Sequence, residues 1–135
     1  MSNLKQVAAV AVRRQASGKL EVLLVTSRET HRWVVPKGWP WPNVSDHEAA
    51  AAEAWEEAGV RGDIRADKLG SFTYDKRRDG EFVAVDVVVY LLEVTDEEPI
   101  SPEMNERQRA WFSPSAAAQA VAEPALKTLL LALDI

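Results

Sequence analysis

The segment from Ser45 to Gly59 constrains this chain more than any other, because both ends of a helix are written into it. SDHEAAAAEAWEEAG opens on Ser45-x-x-Glu48. That is the pattern of a capping box, in which the serine hydroxyl serves the Glu48 amide while the Glu48 carboxylate reaches back. Asp46 adds negative charge at the positive end of the helix dipole. Alanines fill the interior, and Gly59 stands where a left-handed C-terminal residue belongs. The spacing predicts a helix over residues 46–58 with a defined start and stop.

The flanking sequence reads as strands and turns. Val7–Arg13 and Leu20–Ser27 are apolar and β-prone around a turn at Ala16-Ser17-Gly18, and Trp33-Val34-Val35 is a short extension. Pro36-Lys37-Gly38-Trp39-Pro40-Trp41-Pro42-Asn43 carries three prolines and one glycine, which predicts a stiff loop without regular structure. Leu69–Tyr74 and Phe82–Val94 predict a hairpin turning at Asp79-Gly80, and Ala110–Phe112 a short strand. Ser113-Pro114-Ser115 starts a helix over Ala116–Ala122, and Pro124 separates it from a second helical stretch, Ala125–Leu133. No repeat, low-complexity tail or domain boundary interrupts this order. Mixed strands, a helix, more strands and more helices imply one α/β sandwich with a mixed sheet, a single domain over residues 1–135.

Composition narrows the function classes. A chain of 135 residues is large enough to bury a core without staples. No apolar run approaches the roughly 20 residues of a membrane span, and Val7 to Val12 reads as a strand rather than a signal-peptide core. There is no cysteine, so disulfides, thiolate metal sites and cysteine nucleophiles are excluded, and the absence fits a reducing cytoplasm. A net charge of −5 argues against a general affinity for duplex nucleic acid. Charge is nevertheless clustered. Acidic residues gather at Glu48–Glu57 and Asp96–Glu98, basic ones at Arg13-Arg14, Lys76-Arg77-Arg78 and Arg107/Arg109. Each cluster alone reads as solvated surface; together they suit cations and an anionic ligand.

At about 100° per residue, Glu53, Glu56 and Glu57 fall within one arc of the helix, with Ala51, Ala54, Trp55 and Ala58 opposite as the side that packs on a sheet. Carboxylates this close repel one another. Hard divalent cations offset that repulsion, since magnesium takes carboxylate oxygens and keeps water or phosphate oxygens as its other ligands. Ala49, Ala50 and Ala52 then leave room above the helix. A solvent-exposed acidic face explains the same residues, and the helix alone leaves both readings open.

The wider pattern resembles the Nudix hydrolases. Their signature runs from a glycine through five residues to a glutamate, then seven residues to Arg-Glu-aliphatic-x-Glu-Glu-x-Gly-aliphatic. Gly38 takes the first position, and Ala52-Glu53-Ala54-Trp55-Glu56-Glu57-Ala58-Gly59-Val60 the last, without a gap. Leu23-Leu24-Val25, Arg32-Trp33-Val34-Val35-Pro36-Lys37-Gly38 and Glu106-Arg107-x-Arg109-x-Trp111-Phe112 resemble the diadenosine-polyphosphate and diphosphoinositol-polyphosphate branch. Two positions depart: Val44 stands where the first signature glutamate belongs, and Ala52 where the arginine belongs.

The resemblance implies a Nudix-type α/β/α sandwich and hydrolysis of a phosphoanhydride in a nucleoside-diphosphate-linked or polyphosphate substrate, dinucleoside polyphosphates favoured. It implies magnesium, or manganese in its place. Glu56 and Glu57 become metal ligands, Glu53 a ligand or the residue that positions water, and the Gly38 carbonyl part of the shell. A further carboxylate is expected before the late Trp-Phe strand, Glu106 first and Glu103 second. For the phosphates the candidates are Lys37, Arg13, Arg28, Arg77 and Arg109, and for base stacking Tyr74. Trp39 and Trp41 read as core cap or pocket wall, Trp33, Trp55 and Trp111 as core, His47 as packed near the start of the helix. Family members are often dimers, so a homodimer is an open expectation. The alternative reading is a catalytically weak Nudix-fold binding module, motivated by Val44 and Ala52.

Overall fold

The computed structural model describes residues 3–28, 30–99 and 107–133. The strands are β1 (Leu4–Arg14), β2 (Leu20–Thr26), β3 (Trp33–Val34), β4 (Lys37–Gly38), β5 (Val60–Ile64), β6 (Gly70–Arg78), β7 (Glu81–Glu97) and β8 (Arg109–Phe112). The helices are α1 (Asp46–Ala58), α2 (Pro114–Ala120) and α3 (Pro124–Leu131).

The central pairing is parallel, β1 on β7, in register from Leu4 opposite Val85 to Val12 opposite Glu93. Every other ladder is antiparallel. The sheet order is β3-β2-β1-β7-β5, with β4 also on β1, β6 on β7 and β8 on β2. Helices cover both faces, which is why β1 reads as the unbroken apolar run VAAVAV rather than an alternation. Ala8, Val10 and Val12 enter the core shared with α2 and α3. Val7, Ala9 and Ala11 enter the core shared with α1. The result is the expected α/β/α sandwich on a mixed sheet.

Helix α1 has its expected bounds, and Gly59 closes it at φ 68° with its N–H on the Trp55 carbonyl. The start differs from a capping box. Ser45 makes no side-chain bond to the helix amides; its hydroxyl donates to the Glu48 carboxylate at 2.7 Å. The buried stripe also differs from the one expected. It runs through Ala49, Ala50, Glu53, Ala54, Glu57 and Ala58. Ala49 and Ala50 are core residues, not spacers beside a site. Trp55 is half-exposed, and the Arg61 guanidinium lies 3.8 Å from its ring centroid.

Two short strands lie where none is expected. Lys37–Gly38, inside the proline-rich loop, pairs with β1 as Val7 opposite Gly38 and Ala8 opposite Lys37. Val60–Ile64 pairs with the far end of β7. The β6–β7 hairpin turns at Asp79 and Gly80, both with positive φ (53° and 80°), as a two-residue turn of the right hand requires.

Candidate functional site

The site forms where β4 passes over α1. Glu53 and Glu57 sit one helical turn apart and are 9% and 7% exposed. Each has a partner on the strand above. A Cβ at Gly38 would fall on the Glu53 carboxyl group, so the backbone and the carboxylate share space that a side chain would fill. The Lys37 amide donates to Glu57 Oε1 at 3.2 Å, and Arg107 Nη2 lies 3.4 Å from Glu57 Oε2. Arg107 is tethered in turn: its Nη1 donates to the Thr26 carbonyl at 3.0 Å, and the Gln108 amide donates to Thr26 Oγ1 at 2.8 Å. The last residue of β2 thus aims a guanidinium at an acidic residue of α1.

These groups open on a cleft of about 710 Å³. Glu53 and Glu57 line one part of it. Arg28, Arg32, Lys37, Lys76, Arg77 and Arg107 bring positive charge to the same space, and Trp39, Tyr74 and Phe82 bring aromatic surface. Lys37 is half-buried, and burial of its ammonium pushes its pKa below the ordinary lysine value, against the opposing pull of Glu57 and Glu123. That ammonium lies 5.0 Å from the Tyr74 ring centroid. Burial pushes the Tyr74 hydroxyl up to about 12, reinforced by Glu123 and Glu57, although its bond to Gln6 Oε1 at 2.7 Å acts the other way.

Of the sequence candidates, the cleft gathers Glu53, Glu57, Gly38, Lys37, Arg28, Arg77 and Tyr74. Glu56 is half-buried on the helix and does not line it. Among the described residues no three carboxylates or imidazoles converge as a preformed metal cage. Glu106 and Glu103 lie outside the described residues.

Arg13 and Arg109 are elsewhere, for a clear physical reason. Arg13 pairs with Glu21 at 2.9 Å and Glu97 at 3.3 Å and lies 4.0 Å from the Trp111 ring centroid. Arg109 donates to the Ala58 carbonyl at 2.6 Å, at the negative end of α1, where a cation is favourable. It holds the acidic helix in place instead of facing the cleft. Trp39 joins the wall of the cleft, while Trp41 is exposed away from it. Arg107 was not singled out in the sequence as a site residue. A signal was there: it directly follows Glu106, but its pairing with Glu57 depends on a contact 50 residues away in the chain.

The NUDIX domain model matches residues 4–133. The chain belongs to the Nudix family. It is 37% identical over 103 residues to Nudix hydrolase 13, mitochondrial, of Arabidopsis thaliana, covering 70% of this chain and 50% of that protein. It is 36% identical over 121 residues to Nudix hydrolase 16, mitochondrial, of the same plant, covering 85% of this chain and 66% of that protein. The chain therefore spans about half to two thirds of the length of these relatives. A crystal structure of a C. elegans Ap4A hydrolase matches with a TM-score of 0.67 at 25% identity, over 96% of this chain and 95% of that one.

Proposed function

We propose that this chain hydrolyses a phosphoanhydride bond in a nucleoside-diphosphate-linked or related polyphosphate, with dinucleoside polyphosphates the favoured class and magnesium, or manganese, as cofactor. The observation that carries the reading is the pair of inward-facing carboxylates, Glu53 and Glu57, seated under β4 in a cleft otherwise rich in cations. Both are nearly buried and yet line the cleft, where an ion they hold would meet phosphates gathered by its cations. The similarity to the C. elegans Ap4A hydrolase supports the substrate class.

The donor set is all oxygen, which suits a hard divalent cation. Glu53 and Glu57 would hold it with the Gly38 carbonyl of β4, while Glu56 does not line the cleft. When bound, such an ion neutralises phosphate charge and lowers the pKa of a bound water. The protein supplies the rest. Gly38 lets the Glu53 carboxylate sit against the strand, in position to orient a water. The Lys37 amide and Arg107 fix the plane of the Glu57 carboxylate. Lys37, Arg28 and Arg77 gather the phosphates, for which a cleft of this charge is suited.

The test is a product assay over diadenosine polyphosphates, ADP-ribose, nucleoside triphosphates and a diphosphoinositol phosphate, with Glu57→Gln as the blank. Turnover of one class, reduced at least about a hundredfold in the variant and lost in chelator, is the expected result. Turnover in wild type no greater than the blank on every substrate would favour the weak binding module that Val44 and Ala52 motivate.

A further inference from the structure

One carboxylate of the cleft, Glu123, has no part in the hydrolytic reading. Glu123 is the residue before α3 and forms its N-cap, yet its side chain makes no capping hydrogen bond. It is half-buried and lines the cleft. Among the described residues its carboxylate enters no hydrogen bond or ion pair. Glu123, Lys37 and Tyr74 line one cleft, and the Lys37 ammonium and Tyr74 hydroxyl feel the charge of Glu123 as well as that of Glu57. Lys37 contributes a cation whose described contact there is the Tyr74 ring. Glu53 and Glu57 come from a helix on one face of the sheet, and Glu123 from the residue that precedes a helix on the other. The cleft therefore draws carboxylates from both sides of the sheet.

Around Glu123 the cleft offers a carboxylate and the Lys37 ammonium. A ligand with phosphate at every position would meet repulsion at Glu123 that nothing on the ligand relieves. A ligand with neutral hydroxyls on one side and phosphate on the other would meet an acceptor and a cation in matching order. A ribose bearing a 5′-phosphate is such a ligand. Its vicinal hydroxyls are two donors for a two-oxygen acceptor, and bonds to an ionised acceptor are the stronger kind. Carboxylate recognition of ribose hydroxyls recurs in unrelated nucleotide sites.

We propose that Glu123 is a specificity-determining residue that accepts hydrogen bonds from a ribose diol, so that the cleft selects nucleoside polyphosphates and rejects fully phosphorylated inositides. This rests on the proposed reading of the cleft as the substrate site and names the substrate class within it.

The test is binding, measured separately from turnover. ADP, 2′,3′-dideoxyadenosine diphosphate and a diphosphoinositol pentakisphosphate are titrated by calorimetry into the wild-type protein, Glu123→Gln and Glu123→Lys. The wild type is expected to bind ADP about tenfold more tightly than the dideoxy analogue. In Glu123→Gln that gap shrinks to about twofold, and in Glu123→Lys it disappears while the inositide gains at least about tenfold. Equal binding of the two nucleotides by wild type overturns the proposal. So does a Glu123→Gln variant that weakens both equally, which would make Glu123 only a part of α3. Ribose discrimination without turnover would keep this inference and remove the hydrolytic one. Turnover of a substrate without discrimination would do the reverse.

Discussion

The Glu53 carboxyl group occupies the place where a side chain on Gly38 would have to go. This single contact ties the two ends of the family signature together: the residue that opens it is small because the first glutamate of its last segment lies against it. Gly38→Ala is therefore expected to displace Glu53 rather than to unfold the protein. A shift of about 1 Å at a catalytic group costs on the order of a hundredfold in rate. Steady-state kinetics alongside thermal unfolding would check this. A rate within threefold of wild type, about 0.7 kcal/mol in barrier height, would mean that Glu53 has no fixed role.

Arg107 and Glu57 form a well-shielded ion pair in the cleft, each side chain 10% exposed. Removing one partner of such a pair leaves the other charge poorly solvated. Arg107→Met is expected to destabilise the metal-free protein by about 2–3 kcal/mol, toward the low end for buried pairs because the contact is long and the Lys37 amide still serves Glu57. Millimolar magnesium, binding at Glu57, should shrink the deficit. Urea unfolding with and without the ion would measure both. A deficit that magnesium leaves unchanged would separate Arg107 from the ion site.

Helix α1 was legible to the residue because Ser45 and Gly59 mark its ends in the local sequence, although the Ser45 hydroxyl serves the Glu48 carboxylate and not a helix amide. The two-faced burial of β1 was legible as an unbroken apolar run. What escaped depended on the third dimension. A helical wheel places Glu53 and Glu57 off the apolar side; the strand Lys37–Gly38 closes over them and makes that side an interior. Val60–Ile64 alternates buried and exposed positions over only five residues with Arg61, Gly62 and Asp63 at its centre, too short and polar to read as a strand without β7 beside it. Arg13 and Arg109 looked like Arg107 in sequence; only the fold shows that Glu97 and the end of α1 claim them.

The departure at position 44 has a packing cause. Val44 is a partly buried contact of the core beneath α1. Restoring a glutamate there would put a carboxylate against that core, at a cost of about 1–3 kcal/mol. Ala52 is half-exposed, and it is not part of the buried stripe of α1. Val44→Glu is expected to lower the unfolding temperature without raising the rate, whereas Ala52→Arg leaves stability within about 0.5 kcal/mol. Differential scanning fluorimetry and the product assay would decide. A Val44→Glu variant that is both stable and faster would show that the site tolerates, and lacks, that glutamate.

Both tyrosines of the chain resist ionisation, Tyr74 and Tyr90 each raised mainly by burial. For Tyr74 the sign follows from linkage. The unfolded chain releases the phenolic proton near 10.0, while the folded protein keeps it to about 12. Between those values the native state binds more protons, so stability contributed by the neutral hydroxyl is complete below 10.0 and is lost as pH rises toward about 12. The Tyr74 share of the near-ultraviolet tyrosinate absorbance, taken as the difference between wild type and Tyr74→Phe, should therefore show no step at the ordinary tyrosine value and rise only on the approach to alkaline unfolding. Tyr74→Phe removes the proton and should flatten the alkaline loss of stability, at the cost of the bond to Gln6. An absorbance step worth one tyrosine at the ordinary value, in wild type but not in Tyr74→Phe, would show that the hydroxyl beside Lys37 is solvated and the cleft open around it.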